Sequence, residues 1–595
     1  MSDYIPTHTE YKMIHTADEL EAVLDIVGDS PAALDFEGWN IVRLAQICND
    51  DGWWVIDFGP ADNNWFSEVA HWFEDAAWIV FNSGHEKRYF AKYNSHPTCW
   101  DVGYLRRAIE GGGHMALKTL VGWELGVIMD KAEQGSDWDN GDLTQSQLDY
   151  AAGDALYTWD AWKKLIARAD NEHMAAFNLL DGMADGVIEM EEAGLLLDPV
   201  YHRQLIDNWR ELSADRTAQI RELISEDEVA NLNSGKQLND YYAKLLPDEV
   251  LATWPKTEKT GLLSTKNADL MNLAGIYGGT PLGDSFRLMA ERSTLEKYLS
   301  SFGETLLYMA SKSADGRVRC RYNIAAAITC RFSSSGPNLQ QVPRDRDFFG
   351  ERMSIRKGFI AAEGNLLVSY DYSGVEMRVM GLLAKDELLI HDVVYGDVHS
   401  EAASLAAGRK VDPKASVEDK ELRQGGKPIN FGIIYGTTAL GLSGRQGWTY
   451  DFADEVITKW SKRYPKAYDL RYKMQEEAKA GGYIRMVDGG TIYMGRNRPS
   501  LTKCANYPVQ RAALSVMARA SLDLLREAHP DKTIMMCSTI HDALIDEASA
   551  DIAPLVMSTM KTDMELAFLD VFPNESIERL VEGGMGPNWG ELEEV

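Results

Sequence analysis

"ELRQGGKPINFGIIYG", residues 421–436, sets Arg423, Lys427, Phe431 and Tyr435 at strict intervals of four. Four residues advance an α-helix by about 6 Å, so these side chains share one face over about 18 Å. Gly425, Gly426 and Gly432 interrupt the same stretch, and each costs a helix about 1 kcal/mol relative to alanine. An arginine offers a planar fork of donors and a lysine a point charge, both suited to phosphates. Two cations and two aromatics in one file, kept in spite of three glycines, therefore suggest a face that lines a ligand. Taken alone, the stretch also reads as an amphipathic helix with a packed aromatic edge.

The chain has 595 residues and a composition, 45% hydrophobic and 25% charged, of an ordinary water-soluble protein. Its length predicts about four domains. No apolar run of about 18 residues is present, which argues against a membrane span. The start, MSDYIPTHTEYK, lacks the basic and apolar regions of a secretory signal, and the cytoplasm is the expected compartment. Cys48, Cys99, Cys320, Cys330, Cys504 and Cys537 form no C-x-x-C pair, so they read as reduced structural thiols. A formal charge of −31 argues against a surface coated in nonspecific nucleic-acid affinity, though a local basic channel remains compatible with it. Residues 316–358 hold nine Arg or Lys against three Asp or Glu, a net +6. This stretch is the best candidate for a nucleic-acid track, its alternative being a solvated basic face.

Residues 1–170 alternate short apolar strands ("AALDF", "IVRLAQI", "WWVIDFG") with helical patterns ("WFSEVAHWF", "EKRYFAKY") and predict an α/β sheet domain. Residues 172–345 are mostly helical in pattern. "NSGKQL" at 233–238 lacks the spacing of a phosphate-binding loop. Further on, "NLLVSYDYS" and "TIMMCSTIHDALIDEA" read as strands flanking a long helical region. No internal repeat or low-complexity linker separates these parts.

Asp35 and Glu37 in "ALDFEGWN" fall two apart, so on a strand they point to one side and can share a hard cation. Tyr150 and Asp154 in "QLDYAAGDALYTW" fall four apart, which on a helix places them on one face about 6 Å apart. Either pair alone is weak. Together, with "DKAEQGSDW" at 130–138 between them, they resemble the 3′–5′ exonucleases of the proofreading and ribonuclease D type over residues 30–165. The resemblance implies two metal ions held by Asp35, Glu37, a middle carboxylate and Asp154, with Tyr150 orienting the attacking water. The family's N-x-x-x-D becomes Asn82 and Glu86 here, so Glu86 is taken as the middle ligand, one methylene longer than usual.

Asp371 ends an apolar strand in "LLVSYDYSGVEMRVMG", and Asp542 follows His541 in "CSTIHDALID". With the opening stretch they give D-Y-S-x-x-E-x-R, R-x-x-x-K-x-x-x-F-G-x-x-Y-G and H-D in order. This set resembles the family A DNA polymerases, the class of bacterial DNA polymerase I and its phage relatives. "TCRFSSSGPNLQQVP" at 329–343 and "CANYPVQ" at 504–510 match further segments, and the resemblance runs from about 175 to the end. It implies a ribonuclease-H-like mixed-sheet α/β exonuclease domain over 1–170 and a right-hand polymerase behind it. The helical thumb would occupy 171–345, and an α+β palm with helical fingers 346–595, the fingers at about 385–480.

By this resemblance Asp371, the Tyr372 main chain and Asp542 hold two Mg²⁺ ions, with Mn²⁺ as an alternative. Arg423 and Lys427 bind the triphosphate of a dNTP, Lys427 also giving a proton to the leaving group. Phe431 lies against sugar and base and disfavours dideoxynucleotides. Tyr435 sits near the templating position, and Glu376 excludes a ribose 2′-hydroxyl. Arg331 and Gln510 donate to the primer minor groove, where purine N3 and pyrimidine O2 are acceptors in every base pair. Asn338, Gln340 and Asn506 are further DNA contacts, and His541 contacts the primer. Two departures stand out: Ala543 where the family often has glutamate, and Arg511 where it often has glycine.

The implied partners are primer–template DNA and dNTPs, with replisome proteins as further candidates, and the expected state is a monomer. The acidic motif begins by residue 35, so no 5′-nuclease domain is expected ahead of it, as in phage-type enzymes. Other readings are a polymerase with a silent exonuclease, an exonuclease on a polymerase-shaped scaffold, and a non-enzymatic structural protein.

Overall fold

The alternating runs near the N-terminus form a six-stranded mixed sheet in the computed structural model, which describes residues 4–593 apart from 40, 114, 131, 140, 258–259, 344–345, 349–350 and 528–532. In space the strands run Lys12–Ile14, Trp53–Asp57, Leu44–Cys48, Ala32–Glu37, Ala77–Val80 and Thr98–Asp101. Leu44–Cys48 is antiparallel to both its neighbours and the other pairings are parallel. Alternation along Ala32–Glu37 drives Phe36 into an aromatic core with Phe66, Phe73 and Phe90, which leaves Asp35 and Glu37 on the opposite face. "WFSEVAHWF" is helical only over Phe66–Val69 and tightens to a 3₁₀ turn over Ala70–Asp75.

The helix Asn171–Ala193 starts at a capping box between Asp170 and His173. It packs on Val102–Glu110 of the first sheet's module and on Leu501–Glu527 and Ile534–Ile540 of the last. It thus joins the two ends of the chain in one continuous core. Two long helices, Pro199–Leu223 and Pro281–Phe302, each begin with proline after a capping residue, Asp198 or Thr280, as fits proline's missing N–H. They pack lengthwise, and their far ends close over a separate core that includes Leu238, Tyr242, Trp254 and Phe286. "NSGKQL" serves there as the start of a helix, Ser234 capping Gly235–Leu245.

The C-terminal sheet is antiparallel throughout, in the order Ile534–Ile540, Ala543–Ser549, Asn365–Tyr372, Val581–Gly586. "TIMMCSTIHDALIDEA" is therefore two strands and not one. His541 and Asp542 make the turn between them, and His541 adopts a left-handed φ of 58°. The helix Val417–Ile434 crosses Val398–Ala407. No helix among the described residues is long and apolar enough to cross a membrane.

The glycines of the 417–434 helix have separate explanations. A Cβ on Gly426 would lie 1.9 Å from the carbonyl oxygen of His399, so this glycine permits the helix crossing. Gly425 faces open space, and Gly432 would make only an ordinary contact, 3.7 Å from Thr437. Gly426→Ala is therefore expected to destabilise the protein by about 1–3 kcal/mol through overpacking. Gly425→Ala should instead add up to about 1 kcal/mol of helix stability. Paired thermal melts of the two variants check this opposition.

Candidate active sites

At the first site, Asp35 and Glu37 come from the central strand, and Asp154 comes from the helix Gln145–Ile166. That helix is set by a capping box between Thr144 and Gln147 and lies across the strand. One carboxylate oxygen from each of Asp35, Glu37 and Asp154 lies within 4.8 Å of the others. Oxygen-only clusters of this kind suit hard divalent cations. Tyr150 stands one turn before Asp154, and its phenol is pushed upward by burial and then by Asp154, Glu37 and Asp35. Gln46, opposite Asp35 in register, places its amide nitrogen 3.0 Å from Asp35 Oδ2, a tie the sequence reading did not foresee.

Glu86, on the helix Gly84–Ala91, lines the same cavity of about 630 Å³. It is buried, its Oε2 has no hydrogen-bond partner among the described residues, and it does not belong to the group of three. Burial first, then the charges of Asp101 and Glu37, raise its carboxyl well above the usual range. Glu86 thus stands beside the group of three and not within it.

At the second site the sheet ladder does the positioning. Asp371 pairs with Ala543, and the Tyr372 N–H donates to the Asp542 carbonyl at 3.1 Å. The Asp542 carboxyl is raised to about 6, by burial first and then by the negative charge of Asp371. Tyr372 turns its phenol into the core, donating to the Met564 carbonyl at 2.6 Å, so only its main chain faces the site. Ala543 leaves no carboxylate on one side of Asp371. On the other side the register sets Glu582 opposite Asp371, with Oε1 accepting from Ser373 at 3.0 Å. Nothing in the motif spacing points to Glu582, because it arrives on a strand about 210 residues away.

The 417–434 helix carries the file, and Tyr435 just beyond its end reaches the neighbourhood of Asp542. Arg423 Nε bonds Asp397 Oδ2 at 2.5 Å. The Lys427 ammonium lies 5.7 Å from the Phe431 ring centre, and Phe431 lies 5.8 Å from Tyr435. His399, from the neighbouring helix, comes within 6.0 Å of Phe431. Its imidazole is held down to about 4 by burial, then by Arg423 and Lys427. The Tyr435 hydroxyl donates to one oxygen of Glu376, and Arg331 donates to the other. That chain ties the end of the helix to the palm beside Asp542. Asp397 and His399 escaped the sequence reading because no motif spacing marks them.

Among the expected DNA contacts, Asn506 and Gln510 lie one turn apart on Leu501–Glu527, and Gln510 Oε1 accepts from Thr329 at 3.3 Å. Asn338 accepts from the Ser334 hydroxyl at 2.9 Å. Gln340 is turned inward, with its amide on the Thr539 carbonyl at 3.4 Å. His541 is exposed at the hairpin turn. In the basic stretch 316–358 the described cations have partners. Arg317 is buried on Glu547, Arg319 pairs with Asp315, Arg321 with Glu191, Arg331 with Glu376 and Lys357 with Glu591. Arg356 stacks on Trp589. Residues 344–345 and 349–350, and the side chains of 346–348 and 351–353, lie outside what the structure describes.

Arg511, the departure beside Gln510, points away from the site. It is fully buried and pairs through Nε with Asp488 Oδ2 at 2.5 Å, while Ser515 donates to the same oxygen at 3.0 Å.

A nuclease-type mixed sheet and a palm-like antiparallel sheet, each carrying a carboxylate cluster, define the architecture of a polymerase with an appended exonuclease domain. Residues 201–591 match the model described as DNA polymerase family A, and residues 11–169 match the model described as 3′-5′ exonuclease. The chain belongs to DNA polymerase family A. It is 34% identical over 417 residues to the thermostable DNA polymerase I of Thermus thermophilus, covering 67% of this chain and 46% of that protein. It is 26% identical over 578 residues to DNA polymerase I of Aquifex aeolicus, covering 92% of this chain and 93% of that one. The chain thus spans about half the length of the Thermus relative. A solved structure of the POL domain of Pol1 from M. smegmatis, in complex with DNA primer-template and dNTP, superposes with a TM-score of 0.78. It covers 98% of this chain and 100% of that one, at 22% identity.

The buried pair predicts that Arg511→Ala lowers stability by about 3–5 kcal/mol, because Asp488 is left as an uncompensated buried charge. Chemical denaturation of the variant beside an Asp488→Asn, Arg511→Met double variant checks it. The double variant should recover most of the loss.

Proposed function

We propose that this chain is a DNA-templated DNA polymerase that extends a primer 3′-hydroxyl with dNTPs at the second of these sites and trims 3′ ends at the first. The observation that carries the reading is the meeting of Asp371 and Asp542 at the hairpin, with the helix bearing Arg423, Lys427, Phe431 and Tyr435 linked to that region through Tyr435 and Glu376. We place the exonuclease module at 1–170, the thumb mainly at 171–345, and palm and fingers at 346–595.

Burial first, and then the negative charge of Asp371, raises the Asp542 carboxyl. Two neighbouring carboxylates in such a cleft suit a cation, and the oxygen-only donor set suits Mg²⁺. Bound there, Mg²⁺ would lower the pKa of the primer hydroxyl and neutralise the triphosphate and the departing pyrophosphate. Asp371, Asp542 and the Tyr372 carbonyl would hold it. Arg423 and Lys427 bind the phosphates, and Lys427 is placed to give a proton to the leaving group. Phe431 packs on the sugar and base. Glu376, fixed by Tyr435 and Arg331, stands where a ribose 2′-hydroxyl would clash. Arg331 and Gln510 donate to the primer end, with Asn506, Asn338 and His541 as further DNA contacts.

At the first site Asp35, Glu37 and Asp154 would hold the same kind of ion, Tyr150 orients the water, and Glu86 joins as its deprotonation is favoured by the added positive charge. A weak exonuclease is the second reading, favoured by the position of Glu86 outside the cluster.

In primer extension with Mg²⁺ and dNTPs, Asp371→Ala is expected to lose about a hundredfold to a thousandfold or more in rate, with 3′ trimming retained. Undiminished extension would defeat the palm assignment. The converse holds for Asp35→Ala combined with Glu37→Ala: extension persists while trimming of single-stranded DNA disappears. Wild-type protein that never shortens a 3′ end would favour the second reading.

A further inference from the structure

We propose that Arg321 and Arg88, aligned by the buried carboxylate of Glu191, form a phosphate clamp at the mouth of the exonuclease cavity, its ligand being the backbone of a single-stranded 3′ end. The proposal rests on the exonuclease reading of that cavity.

Arg321 is not part of the exonuclease module by sequence. It begins the strand Arg321–Asn323, which pairs with Ser333–Ser335 just beyond Arg331. Yet its side chain lines the cavity that contains Asp35, Glu37 and Asp154. The same cavity is lined by Arg88, Lys92 and Lys118 from the first module. Its interior is therefore acidic while part of its wall is cationic, the arrangement needed to grip a polyanion and deliver one phosphodiester to bound cations.

Glu191 organises the two arginines. Its side chain is 4% exposed, and it accepts from Arg88 Nη2 at 2.5 Å, from Arg321 Nη1 at 2.8 Å and from the Tyr322 N–H at 2.7 Å. Arg88 and Arg321 remain 34% and 64% exposed. A guanidinium carries five N–H donors, so each arginine spends few on Glu191 and can direct others at phosphate oxygens.

The next residue faces the other way. Tyr322 is buried and shares a 2.7 Å hydrogen bond with Ser538, and the Thr539 N–H donates to its hydroxyl at 3.3 Å. Ser538 and Thr539 lie on the strand that ends at the His541–Asp542 turn. One short strand thus has its Tyr322 anchored on the polymerase hairpin and its Arg321 in the exonuclease cavity. A primer end leaving the hairpin for trimming would meet Arg321 from the polymerase side and Arg88 from the other. Arg321 is a positioning residue, removed from the reacting atoms.

The test uses the full chain. Fluorescence anisotropy of a labelled oligo(dT) in EDTA reads binding without hydrolysis. Arg321→Ala should weaken it about tenfold, the loss of one charge-assisted contact. The slope of log affinity against log salt should fall by about 0.7, and Arg321→Lys should recover part of both. In Mg²⁺, trimming of a mismatched primer should show a raised KM with kcat nearly unchanged, while extension of a matched primer is unaffected. An affinity and salt slope equal to wild type, or a loss shared equally by extension and trimming, would overturn the clamp. If wild-type protein binds oligo(dT) through Arg321 but trims nothing, the exonuclease reading fails and the clamp stands.

Discussion

The structure depends on an antiparallel ladder that forces like charges together. Pairing of Asn365–Tyr372 with Ala543–Ser549 sets Asp371 beside the His541–Asp542 turn. Water would keep two such carboxylates apart. Here main-chain hydrogen bonds along seven paired residues hold them in place, and burial first, then the charge of Asp371, raises the Asp542 carboxyl to about 6. A cleft built this way is poised for divalent cations, since their binding relieves what the sheet imposes. Both flanks of the cleft follow from the same register, with Ala543 opening one side and Glu582 standing on the other.

The two sites are parts of one mechanical body. The helix Asn171–Ala193 packs on the exonuclease module at Val102–Glu110 and on the C-terminal sheet and helix at Ile534–Ile540 and Leu501–Glu527. Near its start, Arg485 reaches across to Asp170 at 2.9 Å, and Thr491 donates to the Ile109 carbonyl. At its other end Glu191 collects Arg88, Arg321 and the Tyr322 N–H. Shared burial along this helix makes the distance between the two carboxylate sites a property of packing. By contrast, the far ends of Pro199–Leu223 and Pro281–Phe302 have their own small core, which leaves that region tied to the rest mainly through two helices.

Much was legible because local periodicity reports local geometry. The four-residue file from Arg423 to Tyr435 needed only the pitch of a helix, and the facing of Asp35 with Glu37 only the pleat of a strand. Net charge without pairing left residues 316–358 open as a nucleic-acid track or a solvated basic face. Tertiary contacts then bring their described cations to Glu547, Asp315, Glu191, Glu376 and Glu591 or onto Trp589. Arg511, a departure with no evident reason in the sequence, is a buried partner for Asp488. The strand-like run around Asp542 concealed a turn, because apolar residues continue through both arms of the hairpin.

The amino-acid sequence by itself determined the membership of this chain in a family, the order of its modules, and which side chains share a helix face or a strand face. These follow from residue identity and spacing within one element. The tertiary structure alone decided that Asp371 meets Asp542, that Glu86 stands beside the carboxylate cluster, and that an arginine from the polymerase half lines the exonuclease cavity. Each of those joins residues far apart along the chain, and only sheet register and burial choose such partners.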